Sequence, residues 1–113
     1  MNALIDLIET KRDELAELCR RYGVERLYLF GSAATGGFVE ASSDLDFVVE
    51  MADRQPTGVY ADRYFGLAED LERLFGRHVD LITEESVRNP YFRREVEATR
   101  QLVYGQPRQT AAV

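Results

Sequence analysis

The stretch Leu27–Glu50, LYLFGSAATGGFVEASSDLDFVVE, decides the fold of this 113-residue chain. It begins with an apolar run that is typical of a buried strand and turns at Gly31 and Ser32. It ends in a second apolar run that starts with two carboxylates, Asp44 and Asp46. Because charged groups at the head of a buried strand disfavour packing, these features indicate chemistry as well as folding.

The two carboxylates share one face of their strand. Side chains alternate along a strand, so Asp44 and Asp46 point the same way, with Cα atoms about 6.6 Å apart. Two like charges repel at this distance, whereas a hard divalent cation, Mg²⁺ or Mn²⁺, would bind both. Gly31 and Ser32 offer backbone N–H groups and a hydroxyl that can hold a phosphate. The stretch therefore predicts a nucleotide–metal site.

The order of these residues resembles a known signature. Gly31-Ser32, a loop of eleven residues and Asp44-Leu45-Asp46 match the G-S-x(about 10)-D-x-D pattern of the DNA polymerase β-like nucleotidyltransferase superfamily. The chain is similar to the minimal nucleotidyltransferases (MNT proteins), which are often encoded beside a helical HEPN-domain partner in toxin–antitoxin pairs. The resemblance runs from about residue 24 to residue 104.

The resemblance implies a reaction and the residues that perform it. Gly31 and Ser32 would hold the β and γ phosphates of ATP, and Asp44 and Asp46 would bind the metal that chelates the triphosphate. Asp80 would complete the site for a second ion, giving two Mg²⁺ or Mn²⁺ ions. The implied activity is transfer of AMP to a hydroxyl of the HEPN partner, expected on a tyrosine, with this chain acting as the antitoxin.

Asp80 is also unusual on its own. It lies within the short apolar run 78–82, where burying an unpaired carboxylate would cost several kcal/mol. If this strand neighbours the Asp44–Asp46 strand, the gap of about 4.8 Å lets Asp80 join a two-metal cluster. The alternative is a salt-bridged aspartate paired with Arg77 or His78, and His78 itself is expected to be structural.

One position departs from the family pattern. The usual sequence G-S-x-A-R-G is replaced by G-S-A-A-T-G, so Thr35 stands where an arginine is normal. Threonine offers one hydroxyl in place of a forked guanidinium. Nucleotide binding could then be weaker, or an arginine from elsewhere could substitute. Two other functions stay open: a binding module that neutralises its partner by contact alone, and nucleotidyl transfer to a small molecule.

The composition limits the class of protein. The length predicts one domain, residues 1–104, with a disordered tail at 105–113. A net charge of −6 argues against nucleic acid as the main partner. The single cysteine, Cys19, excludes an internal disulfide and is expected to be a buried structural thiol. No segment is apolar enough to span a membrane, so a cytoplasmic location is expected.

The remaining pattern predicts an α/β fold, and the resemblance implies a small mixed sheet with helices packed on one side. Helices are predicted at 2–22, which Gly23 would end, at 59–75, which Gly76 would end, and from Asn89-Pro90 to about Arg100. Strands are predicted at 25–30, 44–50 and 78–82. Residues 102–104 either form a last short strand, which is favoured, or continue the last helix.

Several side chains receive predicted environments. Thr83 is expected to cap a short helical turn, and Phe92 and Val96 to be buried by the last helix. An aromatic set, Tyr60, Tyr64 and Phe65, is expected in the core, with an adenine platform as the alternative. A set of arginines is expected on a solvated face, with docking of a partner or contact with phosphate as the alternative: Arg88, Arg93, Arg94 and Arg100.

Overall fold

The computed structural model describes residues 3–31 and 44–107. Within these ranges, α-helices alternate with strands that pair into one sheet. The elements are α1 (Ala3–Thr10), α2 (Arg12–Arg21), β1 (Val24–Phe30), β2 (Leu45–Met51), α3 (Gly58–Phe75), β3 (Val79–Thr83), a 3₁₀ turn (Glu84–Ser86), α4 (Pro90–Thr99) and β4 (Gln101–Tyr104).

The sheet is small and mixed, as predicted. Its strand order is β3-β2-β1-β4. β1 pairs antiparallel with both β2 and β4, whereas β2 and β3 are parallel. A parallel pair needs a long crossover connection, and α3 lies within the one between β2 and β3. The weakly patterned segment 102–104 does form a strand, and it lies at one edge.

Alternation along the strands separates two apolar clusters. The larger cluster contains Leu27 and Leu29 of β1 and the odd-numbered residues of β2, together with residues of α1, α2 and α3. Leu27, Leu29, Leu45 and Phe47 are fully buried in it. Helices α1, α2 and α3 therefore cover this face, whereas α4 packs against the opposite face, so the helices do not all lie on one side of the sheet as predicted. Cys19 is buried here too, and burial raises the pKa of its thiol to about 12, which confirms a structural thiol.

A smaller cluster lies on the opposite face, beneath α4. It contains Tyr28, Phe30, Val48, Val87 and Val96. The predicted burial of Val96 is confirmed. The prediction for Phe92 is wrong: this side chain is 38% exposed, because it borders an open cleft described below.

An ion-pair network fastens α4 to the sheet. The buried carboxylate of Glu84 lies 3.0 Å from Arg93 and 3.3 Å from Arg100. The Arg100 guanidinium also stacks 4.6 Å from the centre of the Tyr28 ring. Two arginines that the sequence placed on a solvated or docking face therefore have a structural role. This network fixes the helix that borders the candidate site.

The N-terminal segment forms two helices where one was predicted. The break is at Lys11, whose backbone leaves the helical region (φ −105°, ψ 18°). Just before it, the Thr10 hydroxyl donates to the Asp6 carbonyl at 2.9 Å, a local bond that tends to bend helices. The break still allows Ile8 and Leu15 to be buried in one cluster.

The predicted helix ends are largely confirmed. Gly76 ends α3 in the left-handed conformation (φ +66°). The Asn89 side chain accepts hydrogen bonds from the Tyr91 and Phe92 N–H groups at the start of α4. Thr83 precedes a helical turn, but its side chain makes no capping hydrogen bond. Its carbonyl instead accepts a hydrogen bond from the Ser86 hydroxyl.

The aromatic set does not behave as one group. Tyr60 and Tyr64 pack against the larger cluster, and the Tyr64 hydroxyl donates to the Leu81 carbonyl, which joins α3 to β3. Phe65 is 64% exposed, so its predicted place in the core is wrong.

The first residues that follow β4 are held against the sheet. Arg26 Nε donates to the Gln106 carbonyl at 2.8 Å, which ties the first residues after β4 to the sheet. Residues 108–113, in which most of the predicted tail falls, lie outside the described residues. Among the helices of the described ranges, none has the length and apolarity needed to cross a bilayer.

Candidate active site

Three strand ends meet where the carboxylates lie. In the parallel pairing of β2 with β3, Asp46 is the Cα partner of Asp80. On its other side, Asp46 is the partner of Phe30, the last residue of β1. Asp80 can join a metal cluster with Asp44 and Asp46 only if β3 lies beside β2, and this condition is therefore met. The register also brings Gly31, which follows Phe30, next to the carboxylates.

The acidic side chains project from the same face of the sheet. By strand alternation, Asp46 and Asp80 lie on the face of Val48 and Ile82, which pack in the smaller cluster. Asp46 is partly buried, whereas the side chains of Asp44 and Asp80 are 49% and 56% exposed. The group therefore consists of one partly buried carboxylate, Asp46, and two carboxylates that are exposed to water, Asp44 and Asp80.

Asp46 has a strongly perturbed titration. Its pKa is raised from 3.8 to about 6, chiefly by burial, then by the charge of Asp80, a hydrogen bond with Asp80 and the charge of Asp44. His78 acts in the opposite direction. Neighbouring carboxylates repel one another when all of them are ionised, and a divalent cation bound between them removes this repulsion. The donor set consists of carboxylate oxygens, which suit Mg²⁺ or Mn²⁺.

His78 belongs to this group, although the sequence indicated a structural role. Its Nδ1 lies 3.6 Å from Asp44 Oδ2 and 3.8 Å from Asp80 Oδ1. Ligating atoms of His78, Asp44 and Asp80 all lie within 4.8 Å of one another. The spacing of His78 and Asp80, two residues apart at a strand start, was the signal that could have shown it. The sequence offered His78 as an alternative ion-pair partner of Asp80, and His78 does lie close to it. This closeness does not exclude a metal ion.

Gly31 is fitted to its position by conformation and space. Its φ is +76°, and a Cβ added there would lie 3.0 Å from Asp46 Oδ2. A larger residue would therefore be strained and would press on the carboxylate. The Gly31 N–H donates to Thr99 Oγ1 at 3.1 Å, which connects the turn to the end of α4. Ser32 and Thr35 lie outside the described residues.

A cleft of about 400 Å³ contains the two facing carboxylates. The strand ends form one wall and α4 forms the other, where Phe92 packs edge-on against Phe30 with ring centres 5.9 Å apart. Other surface grooves have similar or larger volumes, so this cleft is distinguished by Asp46 and Asp80, which face each other across paired strands, and not by its size. Its lining residues are Phe30, Gly31, Asp46, Asp80, Leu81, Ile82, Phe92 and Glu95.

Comparison with known families shows to which family the chain belongs. The family model described as "Nucleotidyltransferase domain" matches residues 12–103. A protein of Methanocaldococcus jannaschii, provisionally named as a protein adenylyltransferase, is 36% identical over 97 residues, which are 86% of this chain and 94% of that protein. The chain therefore belongs to the nucleotidyltransferase domain family.

Solved structures share the fold. A provisionally named minimal nucleotidyltransferase is 31% identical, with a TM-score of 0.62 over 89% of this chain and 95% of that one. A second structure, a tri-AMPylated HEPN toxin of Shewanella oneidensis in complex with its MNT antitoxin, matches at 21% identity with a TM-score of 0.60. That match covers 88% of this chain and 73% of the other. The predicted family and fold class are thus confirmed.

Proposed function

We propose that this protein transfers AMP from ATP to a hydroxyl of a HEPN partner protein, on a tyrosine, and acts as the antitoxin of that pair. The observation that carries the proposal is the pairing of Asp46 with Asp80 at one register position of neighbouring strands. Gly31 lies close enough that a Cβ there would crowd Asp46. A carboxylate cluster and a phosphate-type turn therefore lie within reach of one triphosphate.

Each residue has a role in this proposal. Gly31 and Ser32 hold the β and γ phosphates: the Gly31 N–H is bound to Thr99, so the glycine contributes by letting a phosphate approach the backbone closely, and Ser32 contributes its hydroxyl. Asp44 and Asp46 hold the ion on the triphosphate, and Asp80 joins them for a second ion. Bound Mg²⁺ or Mn²⁺ would supply charge neutralisation and a lower pKa for the acceptor hydroxyl.

The reaction exchanges one phosphorus–oxygen bond for another. The acceptor oxygen bonds to the α-phosphorus, its proton passes to solvent, and the bond from the α-phosphorus to the β-bridging oxygen breaks. Pyrophosphate leaves, and AMP stays on the acceptor. Within the chain, catalysis is mostly positioning, because the strand register and the Gly31 turn fix the groups that hold the triphosphate.

Relatives support the choice of acceptor. The M. jannaschii relative is named for protein adenylylation, and the S. oneidensis complex contains a HEPN toxin that carries AMP groups. The cleft is open to solvent and bordered by partly exposed Phe92, which leaves room for a second polypeptide. Tyr91, the preceding residue in the chain, is strongly exposed.

The departure at Thr35 favours one competing function, a module that neutralises its partner by contact alone. Retention of Asp44, Asp46 and Asp80 supports catalysis instead, because contact alone needs no carboxylate cluster. Transfer to a small molecule remains a third outcome that the same experiment detects.

The test uses ATP labelled at either the α or the γ phosphate. The chain is incubated with Mg²⁺ and each nucleotide, alone and with the product of the neighbouring gene. Label from the α position, and none from the γ position, is expected on the partner. If the partner is neutralised without taking up α label, contact alone explains the function. Label on a small acceptor in a cell extract would instead indicate the third function.

Thr99 provides a prediction about nucleotide affinity. Its hydroxyl accepts from Gly31 N–H at 3.1 Å and donates to the Glu95 carbonyl at 2.9 Å. Thr99→Val removes this hydrogen bond at nearly constant shape, so we expect the KM for ATP to rise about tenfold. Thr99→Ser keeps the hydroxyl and should stay within about twofold of the wild type. Equal KM values for the valine and serine variants would show that Thr99 does not position the turn.

A further inference from the structure

We propose that His78 is a metal ligand, shared with Asp44 and Asp80, and that it gives the site a preference for Mn²⁺ over Mg²⁺. The inference rests on the metal-binding part of the proposed function and adds a nitrogen ligand to it. It does not require that AMP transfer occur.

The backbone sets His78 beside Asp44. Leu45 and Val79 are Cα partners where the parallel pair begins, and the Leu45 N–H donates to the His78 carbonyl at 3.1 Å. The residues that precede these partners, Asp44 and His78, are therefore neighbours at the entry to both strands. Alternation directs His78 to the same face as Asp80, two residues later.

The distances suit a shared ion better than hydrogen bonds. His78 Nδ1 is 3.6 Å from one carboxylate oxygen and 3.8 Å from the other, which exceeds the usual 2.7–3.2 Å of a direct hydrogen bond. Two ligands bound to one ion at about 2.1 Å are separated by roughly 3.0–3.5 Å in octahedral or tetrahedral geometry. Movements of these exposed side chains would bring the three ligating atoms, which lie within 4.8 Å of one another, to such separations.

The trio His78, Asp44 and Asp80 is accessible to solvent, and it offers a nitrogen ligand that the more buried carboxylate, Asp46, does not. The side chains of His78, Asp44 and Asp80 are 59%, 49% and 56% exposed. A hydrated ion can therefore enter and keep positions for water or phosphate oxygens. Asp46 lies on the sheltered side, in contact with Asp80. The site thus offers oxygen ligands inside and a mixed nitrogen–oxygen set outside.

The imidazole of His78 changes the preference of the site between Mg²⁺ and Mn²⁺. Carboxylate and water oxygens suit both Mg²⁺ and Mn²⁺, whereas an imidazole nitrogen adds affinity for first-row transition ions. Mg²⁺ gains little from such a ligand, because it prefers oxygen and keeps its waters. His78 should therefore contribute to Mn²⁺ binding and contribute little to Mg²⁺ binding.

The experiment measures metal binding by the full chain without nucleotide or partner. Titration with Mn²⁺ is followed by the electron paramagnetic resonance signal of the free ion, and Mg²⁺ affinity is obtained by competition. His78→Gln should weaken Mn²⁺ binding about tenfold or more and change Mg²⁺ affinity less than about threefold. Pulsed measurements should detect nitrogen coupled to bound Mn²⁺ in the wild type and lose it in the variant.

A matched control separates ligation from a change in cleft charge. Glu95→Gln alters a carboxylate that lines the same cleft but is not part of the trio, so the nitrogen signal should persist. Because His78 is mostly exposed, His78→Gln should keep the wild-type melting temperature, which calorimetry verifies.

The outcomes distinguish the inference from the proposed function. Bound Mn²⁺ without coupled nitrogen, or equal losses of Mn²⁺ and Mg²⁺ affinity in His78→Gln, overturns the role of His78 and leaves AMP transfer standing. Absence of Mn²⁺ binding by the wild type overturns the metal site of His78, Asp44 and Asp80 and leaves AMP transfer to the labelled-ATP experiment, in which the triphosphate brings the ion. A nitrogen signal in a protein that never transfers AMP supports the metal site and rejects the proposed function.

Discussion

Asp46→Asn should lower AMP transfer at least about 1000-fold in the presence of Mg²⁺, ATP and the partner. Asp46 is the carboxylate at the shared register position, and its loss removes one negative ligand from both proposed ion sites. A deficit of about 4 kcal/mol in charge stabilisation corresponds to this factor. The measurement is the initial rate of α-label incorporation into the partner.

Asp62→Asn is the matched control for this variant. Asp62 is an exposed aspartate on α3, so the same chemical change there should leave the rate within about twofold of the wild type. An Asp46→Asn variant that retains more than a tenth of the wild-type rate would rule out a ligand role for Asp46.

The same substitution should stabilise the metal-free protein above pH 6. The raised pKa of Asp46, about 6, means that the folded state binds a proton more tightly than the unfolded state. Its contribution to stability is therefore full below about pH 4 and is lost as the pH rises through 6. Such a shift corresponds to roughly 3 kcal/mol, which partial exposure of Asp46 to solvent reduces to about 2 kcal/mol.

Asparagine carries no charge, so Asp46→Asn should escape this loss. We expect equal free energies of unfolding near pH 4, and an advantage of about 2 kcal/mol for the variant near pH 7, or roughly 8 °C in Tm. The measurement is thermal unfolding with a chelator across this pH range, and Mg²⁺ should reduce the difference. A variant that is less stable than the wild type at pH 7 without metal would contradict the charge repulsion inferred at this site.

The elements of the fold were predictable where local pattern decides them. The apolar runs before Gly31 and after Asp44 are too short and too β-branched or aromatic for buried helices, and each forms a strand. Gly76 and Asn89-Pro90 also act through local backbone chemistry, so the ends they mark are correct.

The candidate site was predictable only in part, because contacts between strands are not local. Asp80 was found as a carboxylate in an apolar strand, which is an anomaly within one segment. The closeness of His78 to Asp44 depends on parallel pairing across 34 positions of the chain, which no local pattern reports. Phe92 has helical periodicity typical of a buried residue, yet its side of α4 borders the cleft.

Structural charge networks were missed for the same reason. Glu84 looks like an ordinary first-turn acidic residue, and Arg93 and Arg100 like part of an exposed basic helix. The fold buries the Glu84 carboxylate against both of them, and removing one partner of such a group is costly. The sequence alone does not show which charged side chains the fold will bury together.

Calorimetric titration of ATP into the isolated protein, with and without Mg²⁺, tests whether the carboxylate cluster and the Gly31 turn form one nucleotide–metal site. The wild type should bind ATP in the millimolar range or tighter only when Mg²⁺ is present, and Asp46→Asn and Asp80→Asn should both lose the Mg²⁺-dependent heat. Absence of binding by the wild type at millimolar ATP and Mg²⁺, or binding of equal strength without the cation, would contradict such a site.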